Sequence, residues 1–399
     1  MMGGSCEKIG VSTLNHALVR YVVVRSPRNR TVGLTERGTM DLLEAERAAA
    51  AFNPAQLVTA RELKGYSQVE LARAAGGISA ASLSQFEKAH ARPSAQTLGR
   101  LAEALEVPER FLARRPREAD APDAFFRSLR STAVSDRRRA RGLTKLVYGL
   151  VRELEQYVTL PALGVPEIGS GSADAEDAAQ QVREEWGVPA GPVRDVVALL
   201  ETHGVVTARF RVQASKVDAF SMPFSDRPIV VLGADKGHRD RSRFDAAHEL
   251  GHLVLHRRVQ PGETAWEREA HRFAAAFLMP ADDIASLLPT KPDWRRLLEL
   301  KATWNVSLAA LLMRAKTLGV MSDTAYLSGI KAMSAKGWRK DEPGDLGPPE
   351  SPRLLSAAIR TAAENGTTLQ EIATRGGLPL QQLNGILGPS INPRPAVRL

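Results

Sequence analysis

The chain has 399 residues, 43% of them hydrophobic and 25% charged, with 54 Lys and Arg against 45 Asp and Glu and a formal net charge of +9. That length and apolar content suffice for two or more buried cores, and the positive balance suits a polyanionic partner. A lone cysteine, Cys6, excludes an intrachain disulfide framework and suits a reducing cytoplasm; no run is apolar enough to span a membrane, and the start lacks a secretory apolar segment.

Residues 1–38 carry no pattern that specifies an element, and the alanine-rich stretch 41–52 reads as a leading helix, so 1–52 forms an N-terminal extension. Across 53–115 the apolar spacing predicts about five short helices. Ser67 is placed to cap one of them, and Glu70 three residues on completes a capping box. Gly76-Gly77 ends that helix and Ser79 caps the next. Two short helices about a glycine turn describe a helix-turn-helix, the second helix sized for the major groove of DNA.

Residues 66–87, continued through 93–98 and 101–108, resemble the Xre (Cro/cI-type) helix-turn-helix family. The resemblance implies that Ala80, Ala81, Ser84 and Gln85 face base edges, Gln85 pairing with adenine and the alanines touching thymine methyls. It places Gln68 and Ser82 at the phosphate backbone, and Leu71, Ile78, Leu83 and Phe86 in the core. The implied partner is operator double-stranded DNA, and readers of this type commonly bind paired half-sites, which implies a homodimer. The second glycine lengthens the usual turn.

The stretch 114–145 holds ten Lys/Arg against four Asp/Glu. Beside a DNA reader such charge adds salt-sensitive phosphate contacts, although 137–141 also fits a solvated helix face. With aromatics at 5%, stacking on single strands is not the leading mode. Composition marks linkers at 115–123 and 163–173, and 137–160 reads as one long helix coupling two modules across 116–172. Helices follow at 175–186 and 193–203, then short strands at 204–210, 217–222 and 228–232. This sheet either covers a helical core or aligns an extended peptide by strand addition.

Residues 246–255 set an H-E-x-x-H pattern in an apolar helical run. His248 and His252, four apart, stand on one face of a helix, where two imidazoles can bind one Zn²⁺ with Glu249 as general base on water. A catalytic zinc needs a third protein ligand and an open position. After Pro261-Gly262 a second helix reads through to Pro280, and either Glu267 or Glu269 can complete the site, from faces about 200° apart. His256 reads as a helix-end residue, Asp245 as a histidine-orienting or simply exposed group, and His238 as part of a surface loop.

These two helices, the second written E-x-x-A-H-x-F-A-A-x-F-L-M-P, resemble the ImmA/IrrE family of zinc metallo-endopeptidases. The resemblance implies Glu267 as third ligand, His271 as a residue fixing a ligand by hydrogen bond, and Glu269 as the fallback ligand. It implies peptide-bond hydrolysis with Glu249 taking the proton of the attacking water. An oxyanion donor is also expected, and spacing assigns none.

Beyond Pro280, helices read at 294–304 and 307–318, an irregular stretch at 337–352, and at 354–387 a faint echo of a second helix-turn-helix that reads better as a plain helical hairpin. The peptidase domain is expected at 173–320 and a C-terminal helical region at 321–399. The expected fold is mainly α with a small β-sheet (α+β), a helix-turn-helix bundle plus a gluzincin-like zinc peptidase domain. The expected function is a cytoplasmic DNA-binding regulator that cuts a repressor or itself. Two rivals are a non-enzymatic transcription factor whose zinc domain is a sensor, and an antitoxin-type regulator with a toxin partner.

Overall fold

In the computed structural model, which describes residues 23–24, 46–114, 133–171, 174–210, 219–234, 237–257 and 264–387, the chain is mainly helical with a small sheet, as the patterning predicts. The leading helix is present at 46–50 and ends before 51–52; residues 41–45 and the linker 115–123 lie outside the described residues. Five helices follow: α1 (Pro54–Lys64), α2 (Gln68–Ala75), α3 (Ala80–Glu87), α4 (Ala95–Leu105) and α5 (Glu109–Leu112). Their ends form as the capping residues dictate. Asn53, Ser67, Ser79 and Ser94 each accept a backbone N–H of the first turn, and Ser67 and Glu70 form the full capping box. Both turn glycines take positive φ, 58° at Gly76 and 63° at Gly77. A Cβ on Gly77 would lie 2.7 Å from Nη1 of Arg100, which itself donates to the Gly76 carbonyl at 3.2 Å. The longer turn is thus filled by an arginine from α4.

Helix α6 (Val134–Leu154) crosses α1 at Gly142, where a Cβ would stand 2.5 Å from the backbone nitrogen of Leu63. Only glycine lets the two backbones approach this closely. Buried Glu62 of α1 fastens the crossing by accepting from Arg141 at 3.2 Å and Lys145 at 3.0 Å. Part of the basic segment therefore serves an internal contact rather than a phosphate. The helix stops at Leu154 and not at 160 as expected. Tyr157, Val158 and Thr159 favour extended backbone and Leu160 precedes a proline, which disfavours helix. Val158–Thr159 (β2) instead pairs antiparallel with Val23–Val24 (β1). Nothing in the N-terminal sequence announced that partner.

The main sheet has the order β3-β5-β4, with β3 (Val206–Phe210) parallel to β5 (Ile229–Gly233) and β4 (Ala219–Met222) antiparallel to it. Its side chains alternate between two cores, as the period of two requires. Val206, Ala208, Phe220, Met222, Ile229 and Val231 enter the core shared with α1–α6. Val205, just before β3, with Ala219, Val230 and Leu232, enters a second core built by α7 (Ala175–Glu185), α8 (Val196–Thr202), α9 (Arg239–Leu255), α10 (Thr264–Leu278) and later helices. The sheet is a wall between two cores. Buried on both faces, the central strand β5 reads as an apolar run, Ile229 to Leu232, rather than as alternation.

After α10 come α11 (Ala281–Ile284), a short 3-10 turn, α12 (Trp294–Trp304), α13 (Leu308–Thr317) and α14 (Asp323–Ala335). The last three helices, α15 (Leu354–Glu364), α16 (Leu369–Gly376) and α17 (Leu380–Leu387), return to the first core. Arg110 donates to the Thr374 carbonyl at 3.1 Å, and Gln382 donates to the Glu106 carbonyl at 2.9 Å. Two buried carboxylates hold this return. Glu350 accepts from Val196 N, Val197 N and Arg243, and Glu201 accepts from Arg353 N and Leu354 N.

Candidate metal centre

Helix α9 carries both histidines of the H-E-x-x-H pattern and α10 carries the facing glutamates. Gly251 lets the helices meet, since a Cβ there would lie 3.2 Å from the Ala270 backbone and 3.1 Å from the Phe273 ring. That approach brings Glu267 over the histidines. Nε2 of His248 lies 3.1 Å from Nε2 of His252, and Glu267 lies 3.4 Å from the first and 3.7 Å from the second. One ligand atom from each of the three residues falls within 4.8 Å of the others.

Two imidazole nitrogens at 3.1 Å cannot both point lone pairs at each other without a proton or a cation between them. Burial, followed by the neighbouring His248 and His256, holds His252 well below the usual histidine range, so it stays neutral, the state in which imidazole binds metal. His248 is also penalised by burial, but the Glu267 hydrogen bond and the charges of Glu249, Glu267 and Asp245 carry it above its ordinary value. Two imidazoles and a carboxylate converging on one point are a donor set that fits Zn²⁺.

Glu249 is 4% exposed, and Ser221 of β4 donates to its Oε2 at 2.7 Å. Burial pushes its carboxyl up to about 7. Glu269, the fallback ligand, faces elsewhere: it meets Nε2 of His256 at 2.9 Å and accepts from Ser170 at 3.0 Å. His256 itself is fully buried, its Nδ1 3.0 Å from Nδ1 of His252. It is the C-cap residue of α9, the helix-end position expected, and no sequence signal marked its bond to Glu269. None marked Ser221 either. His271 is exposed at the rim, its ring 4.6 Å from Phe244 and 6.2 Å from His248. His238 is an exposed N-cap position, as expected. Beside Asp245 and His271 opens a cavity of about 540 Å³ floored by Phe244, Met279, Met313 and Met333.

In the other half of the molecule, α3 presents Ala81 and Gln85 to solvent, with Ala80, Ser82 and Ser84 half-buried. Gln68 donates to Glu87 at 2.7 Å, and Arg61 grips the same carboxylate at 2.5 and 2.9 Å. The Ser82 hydroxyl meets that of Ser79 at 2.9 Å.

Residues 57–112 match the helix-turn-helix family, and residues 200–316 match the IrrE N-terminal-like domain, a peptidase family. The chain thus joins a helix-turn-helix domain to an IrrE-type peptidase domain. No curated protein matches it. The second match spans β3–β5, α9 and α10, and so contains the whole His248, His252 and Glu267 cluster. Among the described residues no helix is long and apolar enough to cross a membrane.

Proposed function

We propose that the chain is a cytoplasmic DNA-binding regulator whose IrrE-type domain hydrolyses a peptide bond in a protein partner, a repressor or a second copy of itself. The observation that carries this reading is the convergence of His248, His252 and Glu267 beside the buried carboxyl of Glu249. These three residues would hold Zn²⁺, which supplies polarisation of the scissile carbonyl and a more acidic water. Glu249 accepts the proton of that water and later returns it to the leaving amine. The Ser221 hydrogen bond to Oε2 orients that carboxyl for both transfers. The methionine-floored cavity beside Asp245 and His271 takes a bulky apolar side chain of the substrate. Ala81 and Gln85 on the exposed face of α3 read base edges of the operator, with Ala80 and Ser84 beside them.

The deciding experiment is elemental mass spectrometry on protein purified without added metal. The expected result is about one zinc per chain in the wild type and none in His252→Ala. Glu249→Gln should keep the metal and lose cleavage of partner proteins. Full cleavage by Glu249→Gln rejects the assigned chemistry, and a wild type that stays metal-free in added zinc rejects the metal centre.

A further inference from the structure

The metal-facing side of His252 is only half of its environment; its other nitrogen opens onto a buried chain that the proposed reaction does not use. We propose that His256 and Glu269 are positioning residues that hold His252 in its metal-binding tautomer through a two-imidazole chain ending at Ser170. The inference rests on the metal-centre reading above and concerns this chain's own hydrogen bonds.

A neutral imidazole carries one N–H. Nε2 of His252 faces His248 and Glu267, so as a ligand it must offer a lone pair, and its proton must sit on Nδ1. That Nδ1–H points at Nδ1 of His256, 3.0 Å away, which must then accept. The proton of His256 consequently sits on Nε2 and is donated to Oε2 of Glu269 at 2.9 Å. Glu269 also accepts the Ser170 hydroxyl at 3.0 Å. Every donor has an acceptor in this arrangement. In the reverse one, His256 donates to His252 and sets its own lone pair against the Glu269 carboxylate, two acceptors in contact. His256 is 0% exposed, so water cannot replace either bond, and the Trp266 ring covers it at 5.8 Å. The chain thus selects one tautomer of His252 before any ion arrives. Partners of this kind typically change metal affinity 10- to 100-fold.

The test is a competition titration of zinc against a chromogenic chelator on the full chain, with selective ¹⁵N-histidine NMR of the metal-free protein. His256→Phe keeps a ring against Trp266 and removes both nitrogens, so a purely packing role predicts unchanged affinity, whereas positioning predicts zinc binding about 10- to 100-fold weaker. Glu269→Gln, on the partly exposed end of the chain, should weaken binding by a smaller factor without loss of fold. In the wild-type spectrum His252 should carry its proton on Nδ1 and His256 on Nε2. Wild-type affinity in both variants overturns the proposal while leaving the metal centre intact. His256 protonated on Nδ1 overturns it as well, even where a variant fails to fold. A wild type that binds no zinc overturns the metal reading beneath it, a result the first two outcomes cannot be confused with.

Discussion

In the helix-turn-helix region the residues offered to base edges lie on one eight-residue helix, and two of them, Ala81 and Gln85, are exposed. In the metal centre the working residues come from α9, α10 and β4, lie up to 46 positions apart between Ser221 and Glu267, and include the buried Glu249 and His252. The first arrangement reads a partner that comes to it from solvent. The second makes its chemistry by withdrawing charge from water, so its residues perturb one another: Glu249 rises to about 7 and His252 falls. Substitutions should therefore separate function from stability in the first region and entangle them in the second.

The largest expected effect is at the buried site. His252→Ala should abolish zinc uptake outright, checked by metal content, and should change the stability of the metal-free protein too, because buried His256 loses one of its two partners. Next is the joint between α1 and α6. Gly142→Val drives a side chain into the Leu63 backbone and should cost about 3 kcal/mol or more, read by urea denaturation. Gln85→Ala should weaken operator binding by about 1–3 kcal/mol in a gel-shift titration at fixed salt and leave the melting temperature unchanged. If it lowered stability as well, the contrast between the regions would fail.

A pH test sharpens the same contrast on the buried side. Burial pushes the Glu201 carboxyl up to about 7 from its ordinary 4.5, against its hydrogen bonds from Thr207, Arg353 and Leu354. The folded chain thus binds this proton more tightly than the unfolded one. Its contribution is full below about pH 4.5 and is lost as pH rises through 7. Glu201→Gln should consequently gain stability relative to wild type between pH 5 and pH 8, by a margin on the order of 2–3 kcal/mol. A constant gap across that range would show that the carboxyl titrates normally.

The smallest effect compares two capping boxes of the same design, Ser67 with Glu70 and Thr368 with Glu371. Replacing either hydroxyl residue by Ala should cost about 1 kcal/mol of stability. Only Ser67→Ala should also weaken DNA binding. Although α16 and α17 repeat the capped helix and glycine turn, Gln382 of α17 is tied to the Glu106 carbonyl, and Gln381 and Gly385 face a cavity shared with Lys64 and Arg139. The segment read as a helical hairpin forms three helices, and the last is tied to its own chain through Gln382.

Local chemistry was legible in the sequence because it acts over one to four residues. The caps at Ser67 and Ser79, the turn glycines, the apolar helix faces and the pair His248 and His252 all follow from spacing alone. The choice of Glu267 over Glu269 followed from resemblance, whereas the Gly251 approach of α9 to α10 is its physical cause. Tertiary structure alone decided the rest. The short pairing of residues 23–24 with 158–159, the return of 354–387 to the first core, Ser221 beneath Glu249 and the His252–His256–Glu269 chain all join residues by contacts the local pattern does not encode. A side chain's period fixes which face of its helix or strand it occupies. Which other face it meets is set by where the backbones can approach, here at Gly142 and Gly251, and by which buried carboxylates find donors.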